Sequence, residues 1–128
     1  MEDTMATYVT SCNVQRFDIL QFFENEKQVY WKQISRCMNG DTVYIYVGRP
    51  HSRLMYKCVV IETNIDDVEC NYLAVNQNKK TKYMKIELVE EIKNHIGLDD
   101  LLTNGLKTVQ CATQASPELV KYIEKKKV

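Results

Sequence analysis

A chain of 128 residues is the size of one domain, able to bury roughly two thirds of its unfolded surface without a metal or disulfide framework. Seventeen basic residues balance seventeen acidic ones, which excludes a global field drawing the protein onto nucleic acid or an anionic membrane, so any such binding must use a local patch. The five cysteines, Cys12, Cys37, Cys58, Cys70 and Cys111, form no Cys-x-x-Cys pair and have no histidine at zinc spacing. They read as reduced, mostly buried thiols of a cytoplasmic protein with no metal and no cofactor.

In chain order, the polar residues 1–10 are expected to be a flexible N-terminus, with Tyr8 and Val9 leading into a strand through Cys12 and Val14, and residues 11–128 a single domain. Phe17, Leu20 and Phe23 recur at helical spacing with Asp18 in the first turn, so a short helix is predicted over 17–25. Val29-Tyr30-Trp31 is a short strand carrying the single tryptophan. Met38-Asn39-Gly40-Asp41 is a turn, since Asn and Gly adopt positive φ cheaply and Asp bonds nearby backbone.

Every residue of 42–47 is β-branched or aromatic, which predicts a strand covered on both faces, as in a small closed barrel. A second strand runs over 54–63. The intervening loop carries Arg49 and His51 and is polar enough to touch a ligand. Residues 64–71 are an acidic connection, 72–75 a short strand, and 76–82 a basic loop in which Lys79, Lys80 and Lys82 fit either phosphate contact or a solvated tip. Strict alternation over 83–91 is a half-buried strand.

Leucines and acids after Gly97 give a short helix ended by Gly105, followed by an extended piece at 107–111. Ser116-Pro117-Glu118 is a strong helix start with Leu119, Tyr122 and Ile123 as its buried stripe, and Lys125, Lys126 and Lys127 complement the dipole at its end. His51 and His95 belong to no nucleophile motif, and none of the four glycines belongs to a phosphate-binding loop. No enzyme is indicated. No apolar window approaches a membrane span.

Four stretches together resemble the EVE domain of the PUA-like superfamily, in the branch found alone or beside HNH endonuclease domains. They are Trp31-Lys32-Gln33, Gly40-Asp41-x-Val43-Tyr44-Ile45-Tyr46-Val47, Tyr56-Lys57-Cys58-x-Val60, and Gly105-Leu106-Lys107-Thr108-Val109-Gln110 ahead of the Ser116 helix. The resemblance implies an α+β, mainly β fold, a small antiparallel PUA-like barrel flanked by short helices. It also implies a non-catalytic module that takes one flipped, modified nucleobase of DNA or RNA into an aromatic pocket, with an HNH nuclease or other defence protein as a companion. The chain departs from the branch pattern at Val14, Tyr30, Ile34 and Cys111-Ala112, which implies a reshaped pocket.

A base pocket needs a flat apolar wall and a few fixed donors and acceptors. Trp31 and Tyr46 are the candidate walls, and Asn13, Gln33, Ser35 and Gln110 the candidate polar readers. Lys32 and Arg49 are candidates for phosphate. Each has a plainer reading, Trp31 and Tyr46 as core and the cations as surface charge. The chain as a whole also fits a protein-interaction or regulatory module with a vestigial pocket.

Overall fold

The computed structural model describes residues 5–66 and 82–128. The expected strand at 72–75, most of the basic loop, and Asp67 and Glu69 of the acidic connection lie outside the described residues. The elements are β1 (Thr7–Cys12), α1 (Ile19–Asn25), β2 (Gln28–Lys32), β3 (Thr42–Val47), β4 (Arg53–Ile65), β5 (Tyr83–Glu91), α2 (Leu98–Thr103), β6 (Thr113–Gln114) and α3 (Pro117–Lys126). The strands form one sheet in the order β2-β5-β4-β3-β1-β6.

The alternating runs behave as expected: β3 pairs antiparallel with β4, and β4 with β5. Two expectations are corrected. The sheet is mixed, because β1 lies parallel to β3, and its strands do not close into a barrel. β3 is buried on both faces because helices cover both. Val43, Ile45 and Val47 pack with Phe17 and Ile19 of the α1 region, while Tyr44 and Tyr46 pack with Leu101 of α2 and Leu119 and Ile123 of α3. Burial on two faces needs two covering layers, and helices supply them without closure.

The first strand, β1, begins at Thr7. Tyr8 and Val9 are buried in β1, and the start of that strand is tied down by Asp41. This carboxylate is 3 % exposed, accepts the Ala6 N–H at 3.0 Å through one oxygen and the Met38 N–H at 2.9 Å through the other. Gly40, at φ 95°, lets the turn present it. A charge so deeply buried is tolerated because both oxygens are satisfied by backbone donors.

Helix starts follow their caps. Asp18 is the N-cap of α1, its side chain accepting from the Gln21 N–H at 3.2 Å, so the helix begins two residues later than its apolar spacing suggests. Ser116 caps α3 in the same way through the Leu119 N–H at 3.2 Å. The extended piece expected at 107–111 is a bend, and pairing with β1 occurs instead at Thr113–Gln114.

Register irregularities in β4, between Lys57 and Cys58 and again beyond Val60, bend the sheet strongly. Residues of β1 and β2, four places apart in the sheet order, consequently line one cavity with no strand pairing between them.

Candidate nucleic-acid interface

That cavity, about 620 Å³, sits where the ends of β1 and β2 converge with the segment entering β6. Its volume falls in the usual range of small-molecule sites. The floor is apolar: Phe17 and Trp31, 8 % and 7 % exposed, meet with ring centroids 6.2 Å apart and planes tilted by 59°, beside Cys12 and Ile34. A planar ring sandwiched between them would need about 7 Å between parallel planes, two carbon contact distances. The space between these two rings therefore does not admit a flat ring.

A single turn builds much of this wall. The side-chain oxygen of Asn13 accepts the Gln15 N–H at 3.0 Å, and its carbonyl accepts the Arg16 and Phe17 N–H groups at 2.9 and 3.1 Å. The turn drops Phe17 into the floor and leaves Arg16 exposed on the rim. The Cys12 thiol donates to the Phe17 carbonyl at 3.5 Å. Burial, with help from Asp18, pushes this thiol up to about 12, so it is protonated at neutral pH and is no nucleophile.

Asn13, Trp31, Lys32, Gln33, Ser35 and Gln110 all line the cavity. Asn13, Lys32, Ser35 and Gln110 are exposed at its edge. Gln33 is held from behind, its side-chain amide donating to the Asn64 side chain at 3.1 Å and accepting the Asn64 N–H at 2.6 Å. Three of the departures from the branch pattern, Ile34, Cys111 and Ala112, face this same space.

Tyr46 and Arg49 do not belong to the group. They line a separate cleft of about 740 Å³ with His95, Asp99 and Asp100. The reason is strand parity: Tyr46 shares its face of β3 with Tyr44 and packs with the helices of the C-terminal half, whereas Trp31 packs on the opposite face. Arg16 and Phe17 also line the cavity although neither is a candidate from the sequence, and Asn13, a residue type whose side chain bonds nearby backbone, is the local turn signal that marks them.

Charge separates the two spaces. Among the described residues the Trp31 cavity is lined by Arg16 and Lys32 and by no carboxylate, and neither cation has an acidic partner. Elsewhere lysines are paired, Lys82 with Asp66 at 2.6 Å and Lys57 with Glu124 at 3.0 Å. Among the described residues no three His, Cys, Asp or Glu side chains come together as a metal site, and Cys12, Cys37, Cys58 and Cys111 are free thiols. Among the described residues no helix is long and apolar enough to cross a membrane.

No protein-family model matches this sequence, nor does any curated protein. Solved structures do match. A hypothetical protein from Leishmania major is 13 % identical with a TM-score of 0.73, the alignment covering 97 % of this chain and 95 % of that one. Human THYN1, in complex with DNA containing 5-methylcytosine, is 10 % identical with a TM-score of 0.72 over 95 % of this chain and 97 % of its own. ASCH from Zymomonas mobilis is 15 % identical with a TM-score of 0.68 over 93 % and 94 %. The chain shares its fold with these three structures. At such identities the likeness speaks for the fold alone, and nothing in it selects the EVE branch.

Proposed function

We propose that this domain is a non-catalytic nucleic-acid-binding module whose cavity receives one extruded, modified nucleobase. The observation that carries the reading is the combination, in one cavity of a chain with zero net charge, of an aromatic floor, an amide and hydroxyl rim, and two cations with no acid opposite them among the described residues. Aromatic faces stack on any base, rim amides and hydroxyls hydrogen-bond its edge, and unpaired cations attract phosphate. The shared fold with THYN1, a protein seen with methylated DNA, supports the same reading. DNA or RNA carrying a modified base is the expected partner, and a nuclease companion rests on the family resemblance alone.

Trp31 is the single tryptophan, so its fluorescence reports on this cavity and nowhere else. Oligonucleotides carrying 5-methylcytosine and a panel of other modified bases should quench it. Truncation of Trp31 to Ala should weaken binding by about 1–3 kcal/mol, the worth of one base–aromatic stack. Because the ring is also core, Trp31→Leu, which keeps more of the volume, should show the same loss with a native melting transition. Unchanged affinity in a folded Trp31 variant, for every oligonucleotide in the panel, would refute the pocket.

A further inference from the structure

The rim contains one cation from each flank of the curled sheet, Arg16 on the turn after β1 and Lys32 at the end of β2. Both side chains are exposed, both lack a carboxylate partner among the described residues, and the floor of Phe17 and Trp31 lies between the segments that carry them. The nearest acid in sequence to Arg16 is Asp18, which is occupied as the cap of α1. We infer that Arg16 and Lys32 form a two-point phosphodiester clamp that straddles the cavity mouth and grips the backbone on either side of the nucleotide whose base enters.

This inference rests on the nucleic-acid reading above but makes a separate demand, on backbone rather than base. Arg16 is preset for the task. The Asn13 carbonyl that holds the Arg16 N–H also holds that of Phe17, so the rim cation and the floor ring are parts of one rigid turn. Its guanidinium offers a fork of donors that fits two phosphate oxygens, whereas Lys32 acts as a mobile point charge. Arg49, on the other cleft, takes no part, since its neighbours there include Asp99 and Asp100.

The test is the salt dependence of binding to a fluorescein-labelled single-stranded DNA of mixed sequence, with either a central 5-methylcytosine or a central abasic site, followed by anisotropy. Each of Arg16→Ala and Lys32→Ala should reduce the magnitude of the log–log salt slope by about 0.7, and the pair by about twice that, on both oligonucleotides. Arg49→Ala should leave the slope unchanged. Slopes unaltered in the Arg16 and Lys32 variants while Trp31→Leu weakens binding would overturn the clamp and leave the pocket standing. Reduced slopes with no effect of Trp31→Leu would support the clamp and sink the pocket. A wild-type protein that binds neither oligonucleotide at low salt would overturn both.

Discussion

The two faces of the sheet treat charge in opposite ways. On the face covered by α2 and α3, polar groups are turned inward upon one another: the Tyr44 hydroxyl donates to Glu124, Lys57 and Lys127 reach the same carboxylate, at 3.0 and 3.2 Å, and Lys127 also binds Glu90. On the Trp31 face two cations stand at a cavity mouth that no acid lines among the described residues. Charges that satisfy each other fix a helix in place and have little left for a ligand. Charges left unsatisfied contribute little to stability and are available to a partner.

The contrast breaks most readily in the core beneath α3. Ile123→Ala and Leu119→Ala remove fully buried side chains and should each cost about 2–5 kcal/mol in urea unfolding, with the affinity of the folded fraction for oligonucleotide unchanged. Should either variant lower affinity in the folded state, the two faces are coupled and the separation drawn above is wrong. Glu124→Ala is the next step down. It strands Lys57 and exposes the Tyr44 hydroxyl, and since the network is partly solvated the expected loss is about 1–2 kcal/mol, with no change in salt slope.

A smaller effect sharpens the comparison through pH. Burial raises the thiols of Cys12 and Cys37 from 9.0 to about 12 and about 11, raises Cys58 further, and raises the phenol of Tyr56 from 10.0 to about 12. In each case the folded state holds a proton that the unfolded chain releases. The associated stability is complete below pH 9 and is lost as pH climbs toward 11 and 12. Lys57 works against this trend, because its burial and the nearby Lys127 lower its value. Cys12, Cys37, Cys58 and Tyr56 all pack in the core on the Trp31 side. Denaturation midpoints measured from pH 8 upward should therefore decline, and Cys58→Ala should make the decline shallower.

How much of this could be read from the chain depends on how local the signal is. The pairing of β3, β4 and β5 follows from alternation and turn residues confined to short windows, and the caps at Ser116 and Gly97 declare themselves within four residues. The parallel partnership of β1 and β3 does not, because nothing within residues 7–12 states which distant strand they meet. The same limit governs the site. Asn13, Trp31, Lys32, Gln33, Ser35 and Gln110 were candidates through family resemblance, and folding brings them to one cavity. Tyr46 lies in the other cleft because β3 is buried on both faces, and in such a strand parity separates two sets of residues without saying which set faces Trp31, while Arg49 lies in the loop that follows β3. Phe17 was read as the opening of a helix. The bonds that make it a floor residue run through the backbone of Asn13, which sequence periodicity does not register.

The strand β1 receives hydrogen bonds from both ends of the chain's history, pairing with β3 on one edge and with β6, near the C-terminus, on the other. The segment of Gln110, Cys111 and Ala112 that closes the cavity leads directly into β6. A nascent chain can therefore assemble the β3-β4-β5 meander early, but the cavity is not complete until residues 110–114 have been made. Loop closure over such a span is slow, so the meander should form well before ligand competence is acquired. The cavity is thus completed after the meander, and damage to β6 will be felt at a cavity made largely from the first thirty-five residues.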